Sequence, residues 1–268
     1  MKDPNNWRDQ LNDPIQIFNL QMRTPLSQAF SAINRIAAER SDDKELLAQL
    51  QPVNTACYRM LRTVINFSAD ELLEKSMFPY QPQPGDLCGF FRQLCTDSAE
   101  YLALSGIRFE FSVPQQTCIC LFDEKILSRV LMNLLSNACR FLSADGTVSV
   151  KLTVTDGQAV LTVSDDGCGI AQDLLPRVFD RFYSCDPATG IPCGDGLGLS
   201  ICRRLMALHG GSIVLRSEPG KGTDAAVMIP LVPAEGNTVL QSKVKSLPED
   251  RFSDLYVILS DSIEPEIN

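Results

Sequence analysis

The sequence lacks any apolar run near the roughly 20 residues that a helix needs to cross a bilayer. Its first ten residues, MKDPNNWRDQ, are polar and contain no apolar core of the kind found in signal peptides. We therefore expect no transmembrane segment and a soluble, cytoplasmic protein. The 268 residues, 44% of them hydrophobic, are enough for two compact units.

Clusters of Lys and Arg are also missing, and the formal net charge is -9. A nucleic-acid partner is therefore not expected, because phosphate backbones are bound by clustered basic side chains. Any anionic ligand must be held locally. The ten cysteines do not follow disulfide-framework or metal-site spacings but lie within helical and strand patterns. We expect them to be small buried hydrophobes in a reducing compartment.

Two amphipathic helices are predicted in residues 1–75. Over 14–40 the apolar residues recur three or four apart, and a cap among Ser41, Asp42 and Asp43 precedes the second helix. The second helix continues the pattern for three heptads, at Leu46, Leu50, Val53, Cys57, Met60, Val64 and Phe67. Two antiparallel helices cannot bury both stripes alone, so the pattern predicts a homodimer with a four-helix bundle. The alternative is that the helices pack on the rest of their own chain.

Three prolines within 76–85 predict a linker at the domain boundary. Beyond it the periodicities predict an α/β sandwich over 86–231, with a hairpin turn at Asp156-Gly157. Its predicted helices are 87–104, 123–141 and 197–209, and its predicted strands are 107–112, 117–121, 147–155, 158–164, 212–217 and 224–231. The fold class is thus α+β. The tail 232–268 is polar and acidic except for Leu255–Leu259, a candidate for an added edge strand.

Four short motifs follow one another between residues 130 and 223. Asn133 and Asn137 are four apart on a predicted helix and share a face, and amide oxygens suit Mg²⁺. Arg140, one turn further, can meet a phosphate. A lone helix asparagine is more often a solvated polar residue, so this pair gains meaning only from the motifs that follow.

The second motif is Asp165-Asp-Gly-Cys-Gly169, at the end of a buried strand, where a carboxylate can accept a hydrogen bond from an adenine amino group. Strand-to-turn junctions favour Asp and Gly in any case. The third motif, Gly194-Asp-Gly-Leu-Gly198, precedes a helix and predicts a phosphate cradle of backbone N–H groups. Residues 184–193 before it are either a flap over the nucleotide or a plain surface loop. The fourth motif is Gly220-Lys-Gly-Thr223.

In this order the motifs resemble the ATP-binding domain of sensor histidine kinases, in the superfamily that includes gyrase, Hsp90 and MutL. The resemblance covers residues 86–231 and implies a two-layer sandwich of the Bergerat type that binds ATP with Mg²⁺. It implies that Asn137 binds the metal, that Asn133 faces it, that Arg140 approaches phosphate and that Phe141 lies by adenine. Asp165, rather than Asp166, would read the adenine. The other implied contacts are Gly167, Gly169, Gly194, Gly196, Leu197, Gly198 and Thr223.

One residue departs from the phosphate-loop pattern. Its variable position is commonly Thr or Gln in the family, but here it is Asp195, whose ionised carboxylate repels phosphate unless a cation intervenes. The segment 184–201 also contains no Lys or Arg. We therefore expect weaker nucleotide binding than is usual in the family.

The N-terminal segment Phe18–Leu26 resembles the family's phosphoacceptor motif, F-S-H-E-L-R-T-P-L. Aligned on Arg23-Thr24-Pro25-Leu26, the acceptor histidine falls on Leu20 and the neighbouring Glu falls on Gln21. Leu has no nucleophilic atom, and Gln cannot act as a general base. The single histidine, His209, ends the helix after the phosphate loop, where a structural role is expected.

Three functions stay open at this stage. The first is a degenerate histidine kinase, a dimer that binds ATP but cannot phosphorylate itself on histidine and acts by binding an intact kinase or a response regulator. The second is an enzyme of another kind. It would be a response-regulator phosphatase using Thr24, at the family's H-E-x-x-T position, or a Ser/Thr-directed kinase of the same superfamily. The third is a scaffold whose nucleotide site is a relic.

Overall fold

The computed structural model describes residues 14–142, 145–184, 194–234 and 253–260. The chain forms two compact units, which divide between Phe78 and Pro79. Across the described ranges, no helix combines the length and apolar character that a membrane crossing requires. The eight cysteines among these residues are all free thiols. Six of them are buried, as the sequence pattern predicts, whereas Cys118 is partly buried and Cys168 is exposed.

The first unit is a helical hairpin of α1 (Pro14–Glu39) and α2 (Lys44–Glu74). Asp43 caps α2, because its side chain accepts a hydrogen bond from the Leu46 backbone N–H at 3.0 Å. The rings of Phe30 and Tyr58 lie 4.4 Å apart between the helices. The buried apolar core of the hairpin consists of Leu26, Phe30, Ile33, Ala37, Cys57, Tyr58, Leu61, Val64, Ile65 and Ala69.

The heptad stripe of α2 is divided between two environments. Cys57 and Val64 are buried, whereas Val53, Met60 and Phe67 are 49%, 49% and 40% exposed. One helix partner therefore does not cover the whole apolar stripe, as its width predicts.

The second unit is a two-layer sandwich, as expected. Its helices are α3 (Leu87–Leu104), α4 (Glu124–Arg140), α5 (Gly198–Leu208) and α6 (Asp254–Ser260). Its strands are β1 (Gln83–Asp86), β2 (Arg108–Ser112), β3 (Ile119–Phe122), β4 (Thr147–Thr155), β5 (Gln158–Asp165), β6 (Ser212–Glu218) and β7 (Gly222–Pro230). A five-stranded sheet has the order β2-β4-β5-β7-β6, in which only β2 and β4 are parallel.

Every second side chain of the central strands is buried against the helices, as in Val148, Val150 and Leu152 of β4. The β4–β5 hairpin turns at Asp156-Gly157, and Gly157 has φ +86°, which explains why a glycine is placed there.

Two segments differ from the expectations. The second half of the predicted linker is not free, because Gln83–Asp86 forms β1 and pairs antiparallel with β3 in a two-stranded sheet. The predicted edge strand at Leu255–Leu259 is instead the helix α6. Ser253 starts it by accepting the Tyr256 N–H at 3.2 Å, and its residues 256–260 are buried on every face. A five-residue apolar run fits a buried helix as well as a strand, and here packing against α4 decides.

Candidate functional site

Helix α4 is fixed at its N-terminus by Asp123. The carboxylate of Asp123 accepts the backbone N–H groups of Lys125 and Ile126, and also that of Gln81 at 2.7 Å. The backbone N–H of Asp123 in turn donates to Nε2 of His209 at 3.2 Å. These contacts set the position of the helix that carries the first motif.

The first motif lies along one face of α4. Asn133 is fully buried, and its amide donates to the Arg129 carbonyl at 3.0 Å. Its Oδ1 meets no hydrogen-bond donor within the described ranges. Asn137 and Arg140, on the same face toward the C-terminus, are partly exposed. The face therefore offers one amide and one guanidinium to a ligand, with a second amide oxygen behind them.

The adjacent carboxylates of the second motif point to different partners. Asp165 ends β5, and its Oδ1 accepts the Gly167 N–H at 3.0 Å. Asp166 instead accepts the Thr147 N–H at 2.8 Å and so joins the loop to the start of β4. Asp166 thus has a structural partner of its own.

The glycines of the second motif allow close backbone contacts. A side chain at Gly167 would overlap the carbonyl oxygen of Phe141, which also accepts the Cys168 N–H at 3.1 Å. A side chain at Gly169, whose φ is +67°, would overlap the carbonyl oxygen of Glu218. The loop is therefore held between the end of α4 and the β6–β7 turn.

The third motif lies against α4 and an aromatic segment. A side chain at Gly194 would overlap the guanidinium of Arg140, and one at Gly196 would overlap the backbone of Phe182 and Tyr183. Asp195 Oδ1 accepts the Leu197 N–H at 3.0 Å, just before α5 begins at Gly198. Residues 185–193, where the flap was expected, lie outside the described residues.

The fourth motif completes the site. Thr223 is the register partner of Asp165 between β7 and β5, and Gly222 packs against the carbonyl of Asp165. The structure thus brings together the end of α4, the Asp165 loop, the start of α5 and the start of β7. The end of α4 contributes an amide and a guanidinium, and the paired ends of β5 and β7 contribute a carboxylate and a hydroxyl.

Residues 122–233 match the family described as histidine kinase-, DNA gyrase B- and HSP90-like ATPases. Over 250 residues, which make up 86% of the chain, the sequence is 28% identical to the sensor protein SrrB of Staphylococcus aureus. Residues 122–233 therefore form a domain of this ATPase family, and the longer stretch is similar to sensor histidine kinases.

Other relatives agree. The chain is 25% identical over 215 residues to histidine kinase P4 of Formosa agariphila. Full-length ShkA, solved in complex with AMPPNP, superposes with a TM-score of 0.64 and 25% identity, over 83% of this chain and 46% of ShkA. Acinetobacter baumannii AdeS, at 18% identity and a TM-score of 0.52, shares the fold. The chain spans 40% of the length of SrrB and 16% of that of P4.

The site lies in this ATPase-type domain, and the electrostatics of the site centre on Asp165. Burial raises the pKa of the Asp165 carboxyl to about 6, against the pull of hydrogen bonds from the backbone of Gly167 and Thr223. The nearby carboxylates of Asp166 and Asp224 raise it further. A donor from a ligand would favour the ionised form of Asp165.

Magnesium-bound ATP fits the residues that are present. Asn137 and the buried Oδ1 of Asn133 are hard oxygen donors of the kind that Mg²⁺ prefers, and Arg140 at Gly194 suits a phosphate. Asp195 places a carboxylate at the start of α5. This carboxylate accepts the Leu197 N–H, which is one of the backbone donors that a phosphate would otherwise meet.

His209 is a structural residue of the domain. It is 4% exposed, its Nε2 accepts the Asp123 N–H, and the ring of Tyr80 lies edge-on at 5.8 Å. Burial lowers the pKa of His209, so the imidazole is neutral. The expected structural role holds, although the ring acts as a hydrogen-bond acceptor rather than as a charge at the helix end.

Ser217 is a buried polar residue near the site that the sequence motifs do not include. It occupies an inward position of β6, in alternation with Ile213 and Leu215, and a polar residue at such a position is the signal that could have identified it. Ser217 and Thr223 line a cavity of about 540 Å³. Asp165, Asn137 and Gly194 do not border this cavity, so it adjoins the nucleotide site rather than forming it.

In the first unit, the residue at the aligned phosphoacceptor position faces solvent. Leu20 of α1 is 63% exposed, and Gln21 is exposed beside it. The hydroxyl of Thr24 donates to the Leu20 carbonyl at 2.9 Å. A cavity of about 470 Å³ runs along this helix, lined by Arg23, Thr24, Ser27, Gln28, Ser31, Ala32 and Arg35.

Proposed function

We propose that this histidine-kinase-like chain binds ATP with Mg²⁺ but does not phosphorylate itself on histidine, and that it signals by binding an intact kinase or a response regulator. The main support for this proposal is that no histidine of the chain is placed to accept a phosphate. Leu20 occupies the aligned acceptor position, and the single histidine of the chain, His209, is buried with its Nε2 engaged. An engaged, buried imidazole nitrogen cannot attack a phosphate.

The exposed apolar rows of the hairpin support a homodimer with a four-helix bundle. Val53, Met60 and Phe67 leave an apolar stripe on α2, and Ile17 and Phe18 are 39% and 42% exposed on α1. Covering these side chains with a second hairpin would remove them from water. An intact kinase with the same helical pattern could take the place of the second copy.

Incubation with labelled ATP and Mg²⁺ tests the proposal. The wild-type protein should carry no acid-labile phosphate, because no accessible imidazole is available. Stoichiometric phosphohistidine on the wild type would refute the proposal.

The matched control is the double variant Leu20→His, Gln21→Glu. Both side chains are exposed, so the substitutions should change stability by no more than about 0.5 kcal/mol. We expect this variant to gain acid-labile label. If it still binds ATP and stays unlabelled, the defect extends to the nucleotide domain.

Dephosphorylation of a response regulator is the second candidate. Thr24 is exposed beside the cavity of α1, and because its hydroxyl hydrogen is given to Leu20, its free lone pairs could accept a hydrogen bond from water. A phosphorylated regulator should then lose its phosphate more slowly with Thr24→Ala than with wild type. Equal rates for the two proteins would exclude this role.

A scaffold with a relic nucleotide site is the remaining alternative. Asp195 favours it, whereas the assembled Asn137, Arg140 and Asp165 oppose it. Calorimetric titration with ATP and Mg²⁺ separates the two functions, because a relic site would release no binding heat.

A further inference from the structure

Helix α6 lies outside the region that matches the ATPase family. That region ends at residue 233, and all strands of the five-stranded sheet, with helices α3, α4 and α5, precede residue 231. α6 nevertheless has the burial of a core element, because its residues 256–260 are all buried. It packs against α4, and the ring of Tyr256 lies 4.9 Å from the ring of Tyr101 in α3. The surface of α4 together with Tyr101, termed the tail groove, thus holds this added helix.

Helix α4 is covered on all sides, since its residues 126–136 are all buried. A helix in the outer layer of a two-layer sandwich ordinarily keeps a polar face in water. Ser128 and Ser136 of α4 have the polarity of such a face but are 1% and 0% exposed. Strands β4 and β5 and helix α5 cover α4 from within residues 122–233, and α6 covers it from outside this range. The packing of α6 therefore adds a cover that the matched domain does not supply.

The helical form of the α6 segment depends on its docking. Isolated helices shorter than about 12–15 residues are marginal in water, and α6 has 7 residues. Ser253 accepts the N–H groups of Tyr256 and Val257, and the Ser260 hydroxyl donates to the Val257 carbonyl at 3.1 Å. Polar groups at both ends of the segment thus have partners inside it. Val257 and Leu259 are fully buried, so apolar contacts hold the segment in the groove.

We propose that the tail groove is a binding site for a short apolar helix that carries one aromatic ring, and that the segment Asp254–Ser260 is its intramolecular occupant. When this segment leaves, the groove accepts a second helix of the same chemistry from a partner protein. Because α4 also carries Asn133 and Asn137, this exchange takes place on an element of the candidate nucleotide site.

A fluorescent peptide of residues 252–262 tests the proposal on the full-length chain. In the double variant Val257→Asp, Leu259→Asp the tail should leave the groove, because an unpaired carboxylate is strongly disfavoured at a fully buried position. Fluorescence anisotropy should then show saturable peptide binding with a Kd on the order of 1–100 μM, since a segment that folds on binding loses part of its contact energy to ordering. Wild type should bind at least about tenfold more weakly, because its own tail has an effective concentration on the order of 1 mM.

Substitutions on the groove side locate the bound peptide. In the double-variant background, Tyr101→Ala should weaken peptide binding roughly 3- to 10-fold, because it removes the aromatic partner of Tyr256. Leu104→Ala is the matched control, since Leu104 is on the same helix but 72% exposed, and it should leave the Kd within about twofold. A peptide that carries the same two Asp substitutions should not bind.

Circular dichroism decides whether the double variant keeps the sandwich. A double variant that no longer folds would make α6 an inseparable part of the core and would overturn the proposal. So would a folded double variant that does not bind the peptide, a wild type that binds it equally tightly, or binding that Tyr101→Ala leaves unchanged. No nucleotide enters these measurements, so their outcome is independent of the proposed ATP binding.

Discussion

Replacing Asp165 with Asn should weaken ATP binding while making the ligand-free protein more stable. Asn keeps an oxygen for the Gly167 N–H but removes the negative charge that would accept an adenine amino group. A hydrogen bond to a charged group contributes about 1.5–3 kcal/mol, which corresponds to a roughly 10- to 150-fold weaker Kd.

The stability change has the opposite sign. The pKa of Asp165 is about 6 in the folded protein, above its ordinary value of 3.8. Because the folded protein binds the Asp165 proton more tightly than the unfolded chain does, protonation of Asp165 stabilises the fold. This stabilisation is fully present below pH 3.8 and is lost as the pH rises through 6. The difference corresponds to at most about 3 kcal/mol at pH 7, and partial exposure of the carboxylate reduces it to about 1–2 kcal/mol. Asn has no charge to bury, so the free energy of unfolding of the variant at pH 7 should exceed that of wild type by this amount.

Calorimetric titration and thermal unfolding at pH 5 and pH 7.5 measure both effects. The Tm of Asp165→Asn should exceed that of wild type by about 2–6 °C at pH 7.5, and the difference should shrink at pH 5. The control is Asp166→Asn, whose parent carboxylate is engaged by Thr147, so nucleotide binding should be unchanged. A variant that binds ATP as tightly as wild type, or that is less stable at pH 7.5, would contradict the assignment of Asp165.

Three further substitutions test separate parts of the structure. Asp195→Thr should tighten ATP binding by about 3- to 10-fold, because it removes from the start of α5 a negative charge that repels the phosphates. Adenosine, which has no phosphate, should bind as it does to wild type. Equal gains for both ligands would contradict a phosphate effect. Leu259→Ala should lower the free energy of unfolding by about 2–4 kcal/mol in denaturant titrations, since Leu259 is fully buried in α6. The control is Leu104→Ala, which removes a 72% exposed side chain and should change the free energy of unfolding by less than about 0.5 kcal/mol. Met60→Glu should convert a dimer to a monomer in light scattering, and a wild-type monomer would rule out the bundle.

Several local features of the fold were predictable because each depends on neighbouring residues. The helix at 87–104 begins and ends at the predicted positions, and Asp43 caps α2 as one of three candidates. The hairpin at Asp156-Gly157 follows from turn chemistry that two residues carry by themselves. The order of the four motifs was enough to predict the sandwich and its similarity to histidine-kinase-type ATPase domains.

The same holds for what the first unit lacks. Leu20 and Gln21 stand where the family motif has its reactive pair, and no folding arrangement can give Leu20 a nucleophilic atom. The main support for the absence of autophosphorylation on histidine therefore comes from the sequence alone. The structure adds that the remaining candidate, His209, is buried and already bonded.

Other properties depend on residues far apart in the chain, and only the tertiary structure decided them. Leu255–Leu259 is compatible with a strand or a helix until α4 supplies a surface to pack on. The sequence separates Asp165 from Asp166 only through the family resemblance, whereas in the structure the backbone N–H of Thr147 donates to the carboxylate of Asp166. The hydroxyl of Thr223 lies 2.9 Å from that of Ser217, which is on the neighbouring strand. Periodicity specifies which face of an element is apolar, whereas partners, pKa values and hydrogen-bond directions arise only when distant segments meet.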